Sequence, residues 1–208
     1  ASEPTPTLEV VLPEGLYKIF VSVQAEVNHH KYWNHYVDVL NPEAVQRFLE
    51  LTHERYKRRY APKFGKSIVS IFTDEVCPAW SERIPAAFLA AYGYDLLEYL
   101  PALQDESHPE HTKVAYDLYR LQYQLFCKSF EEPIARWCYA NNLAYSGEKP
   151  SLRMSQLRYM DIPGCEPGHV KAGAKLDTLR GHLRQNARAT ASAAYFYRKG
   201  GALCECYH

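Results

Sequence analysis

The segment Ser67–Phe72 constrains the fold of this chain more than any other. It is a short apolar run, Ser-Ile-Val-Ser-Ile-Phe, that follows Gly65 and leads directly into Thr73-Asp74-Glu75. Apolar runs of this length that end in polar residues are typical of buried strands in parallel sheets, which are covered on both faces. The remainder of the chain is therefore expected to supply further parallel strands and the helices that cover them.

Strand and helix signals alternate along the rest of the chain. Further strands are predicted at Leu143–Gly147, at Ile162–Glu166 and at Ala202–Tyr207. The spacing of apolar residues predicts helices over about 42–60, 81–92, 94–103, 110–141 and 172–198, with Asn41 as an N-cap and Pro133 as a kink. An alternation of this kind builds a parallel sheet.

We therefore expect an α/β fold, and more specifically a parallel (β/α) TIM-type barrel over residues 36–208. A closed eight-stranded barrel takes about 250 residues, whereas the 208 residues of this chain show only three or four strand–helix units. The chain also stops on a predicted strand, at His208. We expect a partial barrel whose missing segments belong to the same polypeptide.

Residues 1–35 are predicted to form a separate segment. The alternating apolar runs Leu8–Leu12 and Leu16–Val23 flank Pro13-Glu14-Gly15, which is typical of a turn. This pattern predicts a short antiparallel β-hairpin. We interpret it as part of an accessory or inserted β domain.

The composition excludes some classes of partner. Lys and Arg together number 24, as do Asp and Glu, so the chain lacks the basic excess expected of a protein that binds nucleic acid or a membrane surface. No apolar run approaches the roughly 20 residues of a transmembrane helix. We expect a soluble protein.

The six cysteines of the chain show no metal-like or redox spacing. This favours free thiols and a cytoplasmic location, with export as the alternative.

Carboxylates near predicted strand ends are the first candidates for chemistry. Parallel α/β enzymes place reactive groups at the C-terminal ends of their strands. Asp74, Glu75, Glu148 and Glu166 stand at such ends, and Glu205 lies within the last strand. Glycoside hydrolysis needs two carboxyl groups, one protonated and one ionised. Each of these residues has a structural alternative as a helix cap, an ion-pair partner or an exposed turn residue.

Other side chains could bind a sugar or a cation. Trp80 follows the Glu75 strand closely, and its amphipathic ring suits the face of a sugar. His169 and His208 could position a hydroxyl group or help to hold a cation, or they could be ordinary surface side chains. The strand-end carboxylates also offer the hard oxygen ligands that calcium prefers, although no contiguous calcium-binding loop is present.

An ordered set of motifs between Tyr36 and His208 resembles a known family. The chain resembles the catalytic barrel of the large multidomain glycoside hydrolases related to α-L-rhamnosidases. The segments that carry the resemblance are Tyr36–Val45, Ile71–Glu75, Tyr92–Leu96 and the stretch from Trp137-Cys138 to Ser146-Gly147.

The resemblance implies a (β/α)-barrel with attached β-sandwich domains, a plant or microbial glycan as substrate, and often calcium in the active site. It implies Glu75 as the catalytic acid and Glu205 as the base, with Glu166 competing for a place. Two positions depart from the family pattern. Val76 stands where proline is usual after the Asp-Glu pair, and Glu148 stands where relatives commonly have histidine.

The leading interpretation is therefore a glycosidase acting on an oligosaccharide or glycoside, with strand-end glutamates as acid and base or nucleophile. A non-catalytic carbohydrate-binding or scaffold protein on a degenerate barrel is the alternative. A metal-dependent hydrolase that uses His169 and His208 is a third interpretation, which the lack of HxxxH or HxH spacing disfavours.

Overall fold

A four-stranded parallel sheet forms the centre of the fold. The computed structural model describes residues 9–25, 36–76, 78–148, 154–165 and 187–205. Within these residues the strands pair in the order β1-β2-β3-β4, and every pair is parallel. This confirms the predicted α/β class with a parallel sheet. The strands are β1 (Ser70–Thr73), β2 (Ala144–Glu148), β3 (Ile162–Cys165) and β4 (Leu203–Cys204).

Helices lie in the connections between the strands, as the sequence predicts for the β1–β2 and β3–β4 connections, whereas the short helix between β2 and β3 was not predicted. In the described ranges the α-helices are α1 (Pro42–Leu51), α2 (His53–Tyr60), α3 (Ile84–Tyr92), α4 (Leu100–Gln104), α5 (His111–Phe126), α6 (Glu132–Ala140), α7 (Met154–Leu157) and α8 (Ala187–Phe196). Short 3-10 turns occupy Ala61–Lys63 and Leu96–Tyr99. Residues 166–186, the first part of the predicted helix at 172–198 among them, lie outside the described residues.

The first predicted helix is divided into α1 and α2. Its start is as predicted: the Asn41 side-chain oxygen accepts hydrogen bonds from the backbone N–H groups of Glu43 and Ala44, at 3.0 and 3.4 Å. The division falls at Thr52, whose hydroxyl donates to the Phe48 carbonyl oxygen at 2.6 Å. Back-bonding of this kind favours a bend in a helix. Periodicity could not show the division because apolar spacing continues across it.

A π-helical turn, Cys127–Glu131, joins α5 to α6. It lies directly before the predicted kink at Pro133. Pro133 has no N–H with which to reach the Ser129 carbonyl, and its ring would clash with that carbonyl in a regular helix. A wider turn relieves this conflict. The Ser129 hydroxyl also donates to the Leu40 carbonyl at 3.1 Å, which ties the turn to the start of α1.

The hydrophobic core lies between the sheet and the helices. It joins residues from α1, α3, α5, α6 and β2 in one cluster. The largest side chains with almost no exposed surface include Leu40, Ile84, Phe88, Leu96, Ile134, Tyr145, Leu157 and Met160. Tyr145 and two buried carboxylates, Glu131 and Glu148, are the polar members of this fully buried set. The core therefore carries ionisable groups close to the sheet.

The predicted N-terminal hairpin is not confirmed. Residues 9–25 bend at Glu14 and Gly15, where the turn was predicted, but they contain no strand. Val11 and Leu16 are fully exposed, so the alternating apolar side chains have no sheet face to pack against in the described residues. Without that burial, the pattern alone does not stabilise two paired strands.

None of the helices in the described ranges is both long and apolar enough to cross a lipid bilayer. The proposed boundary between an accessory segment and the barrel at residue 35 stays a prediction, since residues 26–35 lie outside the described residues.

Candidate active site

The register of the sheet brings acidic residues to one edge. Thr73 is paired with Gly147, so the next residues, Asp74 and Glu148, are level with each other. Glu148 is in turn paired with Gly164, and Gly164 with Leu203. Side chains alternate between the two faces of a strand and paired residues share a face. Asp74 and Glu148 therefore project from the same face at the C-terminal edge of the sheet. The residue two positions after Leu203 projects from that face as well.

That residue is Glu205, and the three carboxylates form a cluster. One oxygen from each of Asp74, Glu148 and Glu205 lies within 4.8 Å of the other two. The backbone N–H of Glu205 donates to the Cys165 carbonyl at 3.0 Å, which continues the β3–β4 pairing as far as the cluster. Asp74 is exposed, Glu205 is half-buried and Glu148 is only 1% exposed. We call this set the acidic cluster.

Glu148 has the most perturbed environment of the three. Burial raises the pKa of Glu148 from 4.5 to about 8, and hydrogen bonding and charge repulsion from Glu205 and Asp74 act in the same direction. Its Oε2 atom is buried and has no hydrogen-bond partner among the described residues. A buried ionised carboxylate without compensation is costly. The Glu148 carboxyl group therefore holds a proton at neutral pH, unless a bound cation replaces that proton.

Two glycines allow the strands below the cluster to lie close together. A Cβ atom on Gly147 would lie 2.5 Å from both the carbonyl and the hydroxyl oxygen of Thr73. A Cβ atom on Gly164 would lie 2.4 Å from the Gly147 carbonyl oxygen. Neither position could carry a side chain without moving backbone atoms. The glycines thus set the spacing of the strands from which Asp74 and Glu148 project.

A buried chain of polar groups lies on the opposite face of the same strands. The Tyr145 hydroxyl donates to Glu131 Oε2 at 2.6 Å and lies 3.1 Å from the Thr73 hydroxyl. Gln156 Nε2 donates to Glu131 Oε1 at 2.7 Å. Burial and the neighbouring Glu131 raise the pKa of Tyr145 well above its usual value, so this hydroxyl keeps its proton. We call these four residues the buried network.

The structure places the other predicted site residues as follows. Glu75 directly follows Asp74, is half-buried, and has a left-handed backbone conformation with φ 41°, but it is not a member of the acidic cluster. The Trp80 side chain is partly exposed, and its Nε1 donates to Gln24 Oε1 at 3.1 Å. Glu166, His169 and His208 lie outside the described residues. The roles predicted for all of these residues stay predictions.

The fold and the acidic cluster are those of a parallel α/β protein with carboxylates at the C-terminal ends of its strands. Residues 32–206 match the glycoside hydrolase 106 family, described as alpha-L-rhamnosidase. The chain belongs to this family, as its sequence motifs predicted.

Comparison with solved structures shows a similar fold in one rhamnosidase. The chain is similar to the rhamnosidase from Novosphingobium sp. PP1Y, with a TM-score of 0.60 and 24% sequence identity over 86% of this chain. It spans only 18% of the length of that protein. At this identity the likeness shows a shared fold. No curated protein matches the chain.

The buried network was not foreseen from the sequence. Glu131 falls in a long helical pattern, where a glutamate is usually exposed. The one signal was Pro133, which predicts an irregular turn at this point. The partners Tyr145 and Gln156 follow Glu131 in the sequence by 14 and 25 residues, so only the folded chain brings them together.

Proposed function

We propose that the polypeptide containing this chain is a glycosidase that cleaves a glycosidic bond in a plant or microbial glycan, with the acidic cluster in its active site. One observation carries the proposal: carboxylates from the ends of three different strands converge at the C-terminal edge of a parallel sheet. Family membership supports it. The description of the family makes α-L-rhamnosides the first substrates to test.

The protonation of the cluster suits acid catalysis. A glycosidase needs one carboxyl group that is protonated near neutral pH to assist the leaving oxygen. Glu148 meets this requirement because its pKa is raised to about 8. Glu205, half-buried, and Asp74, exposed, are the neighbours in the cluster that help to keep the proton on Glu148. We propose that Glu148 donates a proton directly, or through Glu205, to the leaving group.

The spacing within the cluster suggests that it acts as one unit. Glycosidases keep their two catalytic carboxyl groups about 5 to 9.5 Å apart, which leaves room for the sugar and, in inverting enzymes, for a water molecule. The cluster oxygens lie within 4.8 Å of one another. We propose that the cluster lies on one side of the scissile bond and that the opposing carboxylate is Glu75 or Glu166. With Glu75 in that place, Glu75 and Glu205 remain a pair across the bond as predicted, but their predicted roles are exchanged because the cluster then supplies the acid.

The same three residues fit a calcium ion. Calcium takes several oxygen ligands, and carboxylates are preferred among them. Asp74, Glu148 and Glu205 supply three such groups, and the buried Glu148 Oε2 has no hydrogen-bond donor in the described part of the chain. Bound calcium would offset two of the three negative charges of the ionised carboxylates and orient sugar hydroxyl groups. We propose that a proton and a calcium ion are alternative ways to compensate the charge of Glu148.

We propose that the four-stranded sheet is part of a (β/α) TIM-type barrel. The strands are parallel and follow each other in chain order within the described residues, with helices between them. A closed barrel would be completed by strands from the rest of the polypeptide. A solved structure of that polypeptide tests this, because an open sheet with free edges would contradict it.

The test of function uses Glu148→Gln and Glu205→Gln in the complete polypeptide. We expect each to lower kcat for an aryl α-L-rhamnoside by about 100-fold or more, because removal of a general acid or base typically costs 10²–10⁴-fold. Glu50→Gln is the matched control, since Glu50 is an exposed helix residue paired with Arg47. Unchanged rates in both cluster variants would contradict the proposal. Sugar binding by the wild-type protein without hydrolysis would favour the carbohydrate-binding alternative.

A further inference from the structure

The buried network has an arrangement that packing alone does not explain. Glu131 has no exposed surface, and each of its carboxylate oxygens accepts a hydrogen bond. Burial of a carboxylate costs several kcal/mol of solvation, by order of magnitude, and an apolar side chain of similar size would avoid that cost. The π-helical turn before Pro133 places Glu131 at this point. The π-helical turn and the proline that follows it thus combine to bring the Glu131 carboxyl group to the sheet.

The hydrogen bonds of the network have a defined direction. Tyr145 has a single hydroxyl proton, and it is donated to Glu131. The Thr73 hydroxyl must then donate to the Tyr145 oxygen, at 3.1 Å. Gln156 donates to the other Glu131 oxygen. The network therefore runs from Thr73 through Tyr145 to Glu131, and Glu131 is its terminal acceptor.

The network joins the two strands that carry Asp74 and Glu148. Thr73 directly precedes Asp74 on β1, and Tyr145 lies three residues before Glu148 on β2. Gly147 is paired with Thr73 across the two strands. Because Gly147 has no side chain, the Thr73 hydroxyl can occupy the space beside it. The link across β1 and β2 is therefore made just below the acidic cluster, on the face opposite to it.

We infer that Glu131, Tyr145 and Thr73 are positioning residues that hold Asp74 and Glu148 at their observed separation. The inference rests on the proposed function, because the acidic cluster is the site that they position. They act through the backbone of β1 and β2 and do not touch the substrate. A displacement of about 1 Å in a catalytic group can cost on the order of 100-fold in rate, so a link this close to the cluster has a large effect.

The principal test is Tyr145→Phe in the complete polypeptide. This change removes one hydroxyl group and keeps the ring that packs in the core. Tyr94→Phe is the matched control, because the Tyr94 hydroxyl donates to Asp117 at 2.8 Å in the helical layer. We expect both variants to lose some thermal stability. We expect only Tyr145→Phe to lower kcat for an aryl α-L-rhamnoside, by about 10-fold or more, with KM nearly unchanged.

Two further variants separate positioning from general destabilisation. Thr73→Val removes the first donor of the network at nearly constant volume. Glu131→Gln replaces one carboxyl oxygen with an amide group and keeps the other oxygen as an acceptor. We expect Thr73→Val to lower kcat as Tyr145→Phe does, and Glu131→Gln to lower it less than Glu131→Leu. Equal kcat in the wild-type protein and in folded Tyr145→Phe would overturn the inference.

A crystal structure of the Tyr145→Phe variant keeps the inference testable if the wild-type protein has no hydrolase activity. That activity result would contradict the proposed function by itself. In the variant structure we expect Asp74 and Glu148 oxygens to separate beyond the 4.8 Å of the intact cluster. An unchanged cluster in that structure would overturn the positioning role independently of catalysis.

Discussion

Thr73 and Gly147 face each other across β1 and β2 so closely that a Cβ atom on Gly147 would lie 2.5 Å from the Thr73 carbonyl oxygen. One of the atoms it would meet is backbone, so a rotamer change cannot relieve the contact. The separation of these strands thus depends on the absence of a single methyl group. Because Asp74 and Glu148 are the next residues on the two strands, the geometry of the acidic cluster depends on it as well.

Gly147→Ala is expected to destabilise the protein by about 1 to 3 kcal/mol, since overpacking in a closely packed region costs that much. Gly200→Ala is the control: nothing lies within 4 Å of a Cβ at Gly200, so its effect should stay within about 0.5 kcal/mol. Urea denaturation of both variants measures the difference. If the two variants were equally stable, β1 and β2 would have to be able to move apart to admit a methyl group at no cost in free energy.

Glu148 is expected to make stability depend on pH in the calcium-free protein. Its folded-state pKa of about 8 lies above the ordinary 4.5, so between these values the folded state holds a proton that the unfolded state lacks. The free energy of unfolding should then fall as pH rises through this window, by at most about 1.4 kcal/mol per pH unit for one proton. Denaturation of the wild-type protein at several pH values measures the slope.

Glu148→Gln provides the comparison for that slope. The variant has no proton to lose at this position, so its stability relative to the wild-type protein should increase from about pH 5 to about pH 8. Glu50→Gln, at an exposed site, should leave the slope as it is in the wild-type protein. Parallel stability curves for the wild-type protein and Glu148→Gln would contradict the raised pKa.

Calcium is expected to raise the thermal stability of the complete polypeptide. A ligand that binds only the folded state stabilises it by about 2.7 kcal/mol when present at 100 times its Kd. Asp74→Asn and Glu148→Gln should each reduce this effect, because each removes an anionic ligand from the cluster. Magnesium serves as the control ion, since it accepts an irregular set of ligands less readily. Zinc in the purified protein, with no response to calcium, would favour the metal-dependent hydrolase instead.

Asn41→Ala is expected to cost about 1 kcal/mol, because the Asn41 side chain accepts hydrogen bonds from two backbone N–H groups at the start of α1. Asn41→Asp keeps a capping oxygen and should preserve most of the stability. Thermal unfolding of the two variants makes the comparison. An equal loss in both would mean that the cap contributes little to the folded state.

Much of the fold could be predicted because the decisive signals are local. The apolar run before Thr73-Asp74-Glu75, the cap at Asn41 and the proline at 133 each act within a few residues, and the structure has β1, α1 and the π-helical turn at these positions. The division at Thr52 was missed because it depends on a side-chain hydrogen bond, and helical periodicity does not report such bonds.

The site was harder to predict because it depends on register. The catalytic role was assigned to Glu75 and not to Asp74, although both follow the strand and neither motif nor composition separates them. Strand alternation places Asp74 on the same face as Glu148 once Thr73 is paired with Gly147, and pairing between distant strands cannot be inferred from one segment. The burial of Glu131 and the raised pKa of Glu148 depend on the same long-range pairing.

The exposed apolar side chains near the N-terminus affect how the chain behaves in solution. Leu16, Ile19, Val21 and Val23 are each at least 75% exposed, and residues 9–25 contain no strand. Segments with high β-propensity and unpaired backbone groups offer a template for pairing between molecules. A sample of this 208-residue chain alone is thus expected to self-associate as its concentration rises, and a lysine in place of Val21 should delay that aggregation.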